Sequence, residues 1–286
     1  MRSLLADPAT NPRFLEKGAQ TPADGVFIDL EDAVVPDLKT EGRAKAIEAI
    51  EKLDWGKRQL MVRVNDRSTS WCEADLTELA RGTKRLDAVI LPKCETADDV
   101  RAADALLRTG DQASGRRESI RLYALVETAK GVASCEAIAA ASPRMAGMIF
   151  GAGDYQLDLG VIEPQGPFTF AMARIANAAR AYGLVPIDAP YFDIANAEGL
   201  RGACRLAQSF GFEGKMAIHP SQVEIANEVF APTAAQIAWA REVLEAMDAA
   251  VSTGKGAARL KDGKMVDLVH IKIARKILER ADRSQR

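Results

Sequence analysis

Histidine is nearly absent from this chain of 286 residues: there are two, His219 and His270. A metal centre built on imidazole is therefore excluded as the main chemistry. The four cysteines, Cys72, Cys94, Cys135 and Cys204, form no CxxC pair, which argues against a disulfide framework or a zinc ribbon. Neither charge dominates. Lys plus Arg number 38 and Asp plus Glu 40, a net charge of −2, so the basic excess that nucleic-acid binding needs is missing. No apolar run approaches the ~20 residues of a membrane span. The opening MRSLLADP meets Asp7 and Pro8 too soon to read as a signal peptide. No GxGxxG is present. The nearest stretch to a phosphate-binding loop, Gly110 to Gly115, is followed by Arg116 and Arg117 rather than Lys and Ser/Thr, and it follows a helix instead of a strand. TGDQASGRRES reads instead as a solvated surface loop. A cytoplasmic protein with reduced thiols and no membrane or nucleic-acid partner is the expectation.

What the chain does have is alternation. Runs rich in Val, Ile and Leu predict strands at Ser3–Ala6, Gly25–Leu30, Gln59–Val64, Asp87–Pro92, Arg121–Val126, Gly147–Gly151, Leu184–Asp188 and Lys215–Ile218. Helical spacing predicts helices at Leu38–Leu53, Ala97–Leu107, Ala129–Ala141, Phe168–Tyr182 and Glu198–Phe210, and another from near Ser221. Eight β-then-α units in about 230 residues predict an α/β fold, a (β/α)8 TIM barrel, over 1–232. A doubly wound open sheet competes, but would normally use fewer strands and a Gly-rich turn. Residues 233–286 read as a carboxyl-terminal helical extension: a helix at Thr233–Val251, a mobile loop STGKGAARLKDGK, and an amphipathic helix with Val269, Ile273 and Ile277 four apart, in need of a partner surface.

Chemistry in such barrels sits at the carboxyl ends of the strands. Those ends carry Asp29, Glu31 and Asp32; Arg63 and Asn65; Lys93; Glu127 and Thr128; Asp154; Asp188; and His219. Burying so much charge costs several kcal/mol unless it is paired or used. Carboxylates outnumber cations there, and an all-oxygen donor set suits a hard cation, Mg2+ above all, with Mn2+ or Ca2+ as alternatives. Glu127 and Asp154, from consecutive strands, are the candidate metal ligands. Helix capping is the rival role for both. Arg63 is either a fork for an anionic substrate or half of an ion pair with Asp29 or Glu31. Lys93 either forms a Schiff base or neutralises the acidic rim. His219 reads as a hydrogen-bonded core histidine, and the cysteines as small buried hydrophobes.

The stretches RSLL…PRFLEKG, FIDLEDAV, VRVN, LPK, ALVETAKGV, IFGAGDYQLDLG, ARAYGLVPIDAPYFD and GFEGKMAIHPSQV, in order from residue 2 to about 230, resemble the citrate lyase beta-subunit-like family of acyl-CoA lyases, malyl-CoA lyases included. The tail GKMVDLVH resembles that family's lid segment. The resemblance implies a Mg2+-dependent carbon–carbon lyase acting on a carboxylated 3-hydroxyacyl thioester. It implies Glu127 and Asp154 as metal ligands, Arg63 as the substrate arginine with Glu127 also at the substrate, and Asp267 as an acid from the lid that enters a neighbouring subunit's site in a homotrimer or hexamer. Glu31, Asp32 and Lys93 would then hold metal-bound waters and tune charge. One departure stands out. Ala6-Asp7-Pro8-Ala9 replaces a Phe-Val-Pro-Gly type turn, and Asn11 stands where Arg is common. This leaves the carrier open between coenzyme A, an acyl-carrier protein, or neither. The alternatives are a 4-hydroxy-2-oxoacid aldolase, a malyl-CoA thioesterase, or a non-catalytic oxoacid-binding subunit.

Overall fold

A computed structural model describes residues 1–115, 118–163 and 166–284. Eight strands run parallel and close on themselves: β1 (Ser3–Pro8), β2 (Gly25–Asp29), β3 (Gln59–Arg63), β4 (Ala88–Leu91), β5 (Arg121–Val126), β6 (Met145–Phe150), β7 (Val185–Asp188) and β8 (Gly214–Ala217). The closing contact pairs Ser3 of β1 with Lys215 of β8. This is the (β/α)8 barrel. Alternate residues of each strand face inward. Leu4, Phe27, Met61, Ile90, Leu125 and Ile149 belong to one buried cluster that fills the barrel. The same parity carries upward to the rim, so Asp29, Arg63 and Glu127 follow inward-facing neighbours. Register keeps them together, with Asp29 opposite Arg63 and Val126 opposite Phe150.

The helices differ from expectation in places. The stretch from Thr109 to Ser114 is helical, not a loop: the helix Ala97–Ser114 continues through it, because Val100, Ala103 and Leu107 bury one face. The helix ends at Gly115, whose φ of 64° suits a left-handed cap. Arg116 and Arg117 lie outside the described residues. The predicted helix Ala129–Ala141 is two short ones, Ala129–Ala133 and Cys135–Ala139, broken at Ser134. Further helices stand at Pro12–Gly18, Cys72–Gly82 and Ala152–Asp158. Among the described residues no helix is long and apolar enough to cross a membrane.

The chain divides into two compact units, Met1–Asn227 and Glu228–Arg286. In the second, the helix Ala234–Ser252 begins at a capping box of Thr233 and Gln236. The Gly- and Lys-rich stretch expected to be a mobile loop instead forms an antiparallel hairpin of β9 (Ala257–Arg259) and β10 (Met265–Asp267). Leu260 and Val266 anchor it to a core with Val243, Met247 and Ala274. The last helix, Leu268–Ser284, buries Ala274 and packs Ile271, Ile277 and Leu278, which leaves Val269 and Ile273 exposed. The buried face is thus rotated from the predicted one.

Candidate active site at the carboxyl ends of the strands

A cavity of about 590 Å³ opens at the mouth of the barrel, and Asp29, Asp32, Arg63, Glu127 and Asp154 line it. The acids outnumber the bases. Arg63 is held from two sides. Its Nε and Nη2 donate to the two oxygens of Asp29 at 2.8 and 2.7 Å, a planar fork on a planar carboxylate. Its Nη1 lies 3.0 Å from Glu31 Oε2 and 3.6 Å from Asp32 Oδ2. The Asp29 ion pair considered from the sequence therefore forms, yet Arg63 still faces the cavity. Asp29 also accepts the N–H groups of Glu31 and Ala33, which fixes the turn after β2.

That turn has a second clamp that sequence reasoning missed. Lys39 is buried, and its Nζ donates to the carbonyls of Leu30 and Glu31 at 2.8 and 2.7 Å. Burial pulls its pKa down. Only its place one turn behind FIDLEDAV hinted at this.

Lys93 and Glu31 stand behind the cavity lining. Lys93 Nζ donates to Glu31 Oε1 at 2.8 Å, and its backbone N–H donates to Glu127 Oε1 at 2.7 Å. The second bond requires φ of 47° at Lys93, a left-handed conformation found at no other non-glycine residue described. Lys93 thus neutralises the acidic rim. Burial raises the Glu31 pKa, while Arg63 and Lys93 pull it down.

Glu127 is 2% exposed. Burial pushes its pKa up to about 8, and the charges of Glu31 and Asp154 add to the effect. Its other oxygen leans over Gly151, where an added Cβ would sit 2.4 Å from Oε2. The glycine is required for this close approach. Helix capping does not occupy either candidate ligand. Thr128 caps the helix after β5 by accepting from Gly131 N–H, and Asp154 lies within the first turn of Ala152–Asp158. No cluster of three His, Cys, Asp or Glu among the described residues makes a closed metal cage. Two carboxylates at an open cavity, one of them destabilised by its anionic neighbours, fit Mg2+, which keeps waters and takes substrate oxygens beside one or two protein acids.

Other rim residues fall elsewhere. Asp188 does not reach the cavity: it faces outward from β7 and pairs with buried Lys215 of β8. Asn65 turns to Asp75, donating to Oδ2 at 2.6 Å. His219 is not a core residue. It is exposed, lines the cavity, and its Nδ1 lies 2.7 Å from Ser221 Oγ. The Cys residues are buried and free. Asp267, in the second unit, caps the last helix through Val269 N–H, and His270 Nδ1 at 2.7 Å holds its carboxyl below the usual range. Asp7, which sequence reasoning noted only as part of an altered turn, also lines the cavity.

Residues 2–220 match the model of the HpcH/HpaI aldolase/citrate lyase family. The chain is 40% identical to an L-malyl-CoA/beta-methylmalyl-CoA lyase of Rhodobacter capsulatus, over 98% of this chain and 94% of that protein. It is 38% identical to a (3S)-malyl-CoA thioesterase of Cereibacter sphaeroides over the same shares. The structure of CitE from Mycobacterium tuberculosis with magnesium, acetoacetate and coenzyme A is similar at a TM-score of 0.78 and 32% identity, covering 99% of this chain and 100% of that one. The barrel, the acid pair at its mouth and these matches agree: the chain belongs to the HpcH/HpaI aldolase/citrate lyase family.

Proposed function

We propose that this chain is a Mg2+-dependent carbon–carbon lyase that cleaves a carboxylated 3-hydroxyacyl thioester of the malyl type into a 2-oxoacid and an acyl thioester. The observation that carries the reading is Glu127, buried and pressed by other carboxylates, in one cavity with Asp154 and a guanidinium already oriented by Asp29. The similarity to a malyl-CoA lyase along nearly the whole chain supports it.

In the reaction the bond between the hydroxyl-bearing carbon and the thioester α-carbon breaks. The hydroxyl loses its proton and becomes the carbonyl of the oxoacid, and the electron pair passes to the thioester as an enolate, which then takes up a proton. Mg2+ on Glu127 and Asp154 would polarise the oxoacid carbonyl. Arg63 holds the substrate carboxylate and stabilises oxyanion charge. It cannot swing away, because Asp29 fixes two of its nitrogens. Glu31, Asp32 and Lys93 hold waters and balance charge around the acids. Asp267 is the proton shuttle to the enolate carbon, delivered by a neighbouring copy in a homotrimer or hexamer. The exposed Val269 and Ile273 beside it suit such an assembly. Four buried free thiols suit the cytoplasm.

The test is malyl-CoA with Mg2+, following glyoxylate and acetyl-CoA. Glu127→Ala and Asp154→Ala should each lower turnover at least about 1,000-fold with the circular dichroism spectrum retained. Wild-type turnover in either variant rejects the assignment. The similarity to a thioesterase favours a second reading, hydrolysis of malyl-CoA. Free malate and coenzyme A as the main products would establish it, and cleavage of free 4-hydroxy-2-oxoacids alone would make the chain an aldolase.

A further inference from the structure

The mechanism asks Asp267 to give a proton to the enolate, yet its own surroundings hold it as a carboxylate. The hydrogen bond with His270 keeps its carboxyl below the usual range, so near neutrality it has no proton to give. His270 is the residue that the mechanism leaves unused. The two meet at the start of the last helix. Val269 N–H donates to Asp267 Oδ1 at 3.0 Å, which makes Asp267 the cap of Leu268–Ser284. Asp267 N–H donates in turn to Nδ1 of His270, three residues on, at 3.2 Å. That is the reciprocal pattern of a capping box.

This box has an unusual member. The same device opens the helices Ala97–Ser114 and Ala234–Ser252, where Asp99 and Gln236 take the third position. Here an imidazole takes it, and its Nδ1 also lies 2.7 Å from Asp267 Oδ1. Two bare acceptors do not approach so closely, so one proton lies between them. With the proton on nitrogen, the ring donates to the carboxylate. With the proton on oxygen, the Nδ1 lone pair is left to accept the carboxyl O–H and the Asp267 N–H together. The geometry thus provides for both positions of the proton. A carboxylate in the third position would repel the cap, and an amide would carry no mobile proton. Trp239 meets the ring edge-on, with centroids 6.4 Å apart, and helps to fix its plane. The imidazole side chain is 35% exposed and the Asp267 side chain 57%, so water reaches the ring and the carboxyl is open to a ligand.

We propose that His270 is a positioning residue that aims the Asp267 carboxyl and passes it the proton that the enolate takes up. The proton first moves from Nδ1 to Asp267 Oδ1, while Nε2 takes one from a buffer acid in the solvent. The enolate carbon then uses its electron pair to form a C–H bond as the carboxyl O–H breaks, which returns Asp267 to a carboxylate. Exchange with water puts the ring proton back on Nδ1. In the direction of condensation the same path runs backward, and the ring carries off the proton that Asp267 removes. This inference deepens the thioester-lyase reading and rests on it for the role of Asp267 as the lid acid.

The test compares wild type with His270→Gln, His270→Ala and Asp267→Ala, each as the full chain with malyl-CoA and Mg2+. An amide suits the third position of a capping box but has no titrating nitrogen. His270→Gln should therefore keep its Tm and KM while kcat falls about tenfold. His270→Ala should fall at least as far, and imidazole added to the buffer should restore most of that loss in kcat. Asp267→Ala should lose about 100-fold and gain nothing from imidazole. A second readout needs no turnover. The chain has two histidines, so NMR of nitrogen-labelled histidine gives two sets of ring signals, and His219→Gln assigns them. Nδ1 of His270 should carry its proton in the wild type and lose it in Asp267→Ala, where only the backbone N–H remains to meet it. Wild-type kcat in His270→Gln, or an unprotonated Nδ1 in the wild type, overturns the proposal, while a slow Asp267→Ala would still keep Asp267 in the reaction. Wild-type kcat in Asp267→Ala rejects the lid acid and this inference with it. A wild type that cleaves no thioester overturns the lyase reading, and this inference falls with that reading.

Discussion

Two buried carboxyls with raised pKa values line the cavity, and their surroundings differ. At the β5 corner, Glu127 accepts a backbone N–H from Lys93, presses on Gly151 and feels the charges of Glu31 and Asp154. At the β1 corner, Asp7 has only desolvation acting on it. Anionic crowding is relieved by a cation, which is what the proposed Mg2+ would supply at the first corner. Desolvation without crowding is relieved simply by keeping the carboxyl protonated. The same direction of shift therefore has two different origins.

The contrast can be broken most severely at Gly151. A methyl group there meets Glu127 Oε2 at 2.4 Å and Glu127 Cβ at 2.5 Å, so Gly151→Ala must push the carboxylate out of line. Mg2+-dependent turnover should fall about 100-fold, and the rise in Tm on adding Mg2+ should shrink with it. Mg2+ that protects the variant as well as the wild type would mean that Glu127 is not a ligand.

The β1 corner can be sharpened by pH. Asp7 has its pKa raised from 3.8 to about 7, so the native state holds a proton there that the unfolded chain has released. The stability this supplies is fully present below about pH 4 and is lost as pH rises through 7. Asp7→Asn removes the titration. Urea midpoints should therefore show the variant gaining on the wild type between pH 5 and pH 8 by about 2–3 kcal/mol, whatever its offset at pH 5. A gap that does not widen would mean that Asp7 finds a partner in solution. The proposed Mg2+ ligands, Glu127 and Asp154, follow β5 and β6, so adding Mg2+ should leave the widening at Asp7 intact.

Parity explains what could be read from the sequence and what could not. The strands were legible because Val, Ile and Leu runs such as AVIL and MAGMIF are buried on both faces, and that is how parallel strands must look. Strand-end chemistry was legible only in part. A polar residue at a strand end faces the mouth or the helices according to a shift of one position. Asp29, Arg63 and Glu127 fell on the inner side, whereas Asp188 fell on the outer side and found Lys215. Asp7 fell on the outer side as well and found nothing. His219 read as a core residue because the apolar run before it ends one residue earlier than the turn does. In the tail, Val269, Ile273 and Ile277 drift around a helix of 3.6 residues per turn, so a repeat of four does not mark the buried face; Ala274 does. Lys39 had no signal of its own, since its partners are backbone carbonyls.

Lys93 offers the gentlest way to separate backbone from side chain at the β5 corner. Its left-handed φ of 47° costs a non-glycine residue about 1 kcal/mol, and that strain aims the N–H at Glu127. Its side chain separately pairs with Glu31. Lys93→Ala loses the ion pair and keeps the strain, whereas Lys93→Gly loses the ion pair and relieves it. Lys93→Gly should therefore be the more stable of the two by about 1 kcal/mol, with Glu127 still receiving its hydrogen bond. Both variants should lose activity equally, because both take the ammonium from Glu31 Oε1 and leave Glu31 only its contact with Arg63. If Lys93→Gly were the less active, the rigidity of the strained backbone would itself be holding Glu127 in place, and the β5 corner would depend on conformation as much as on charge.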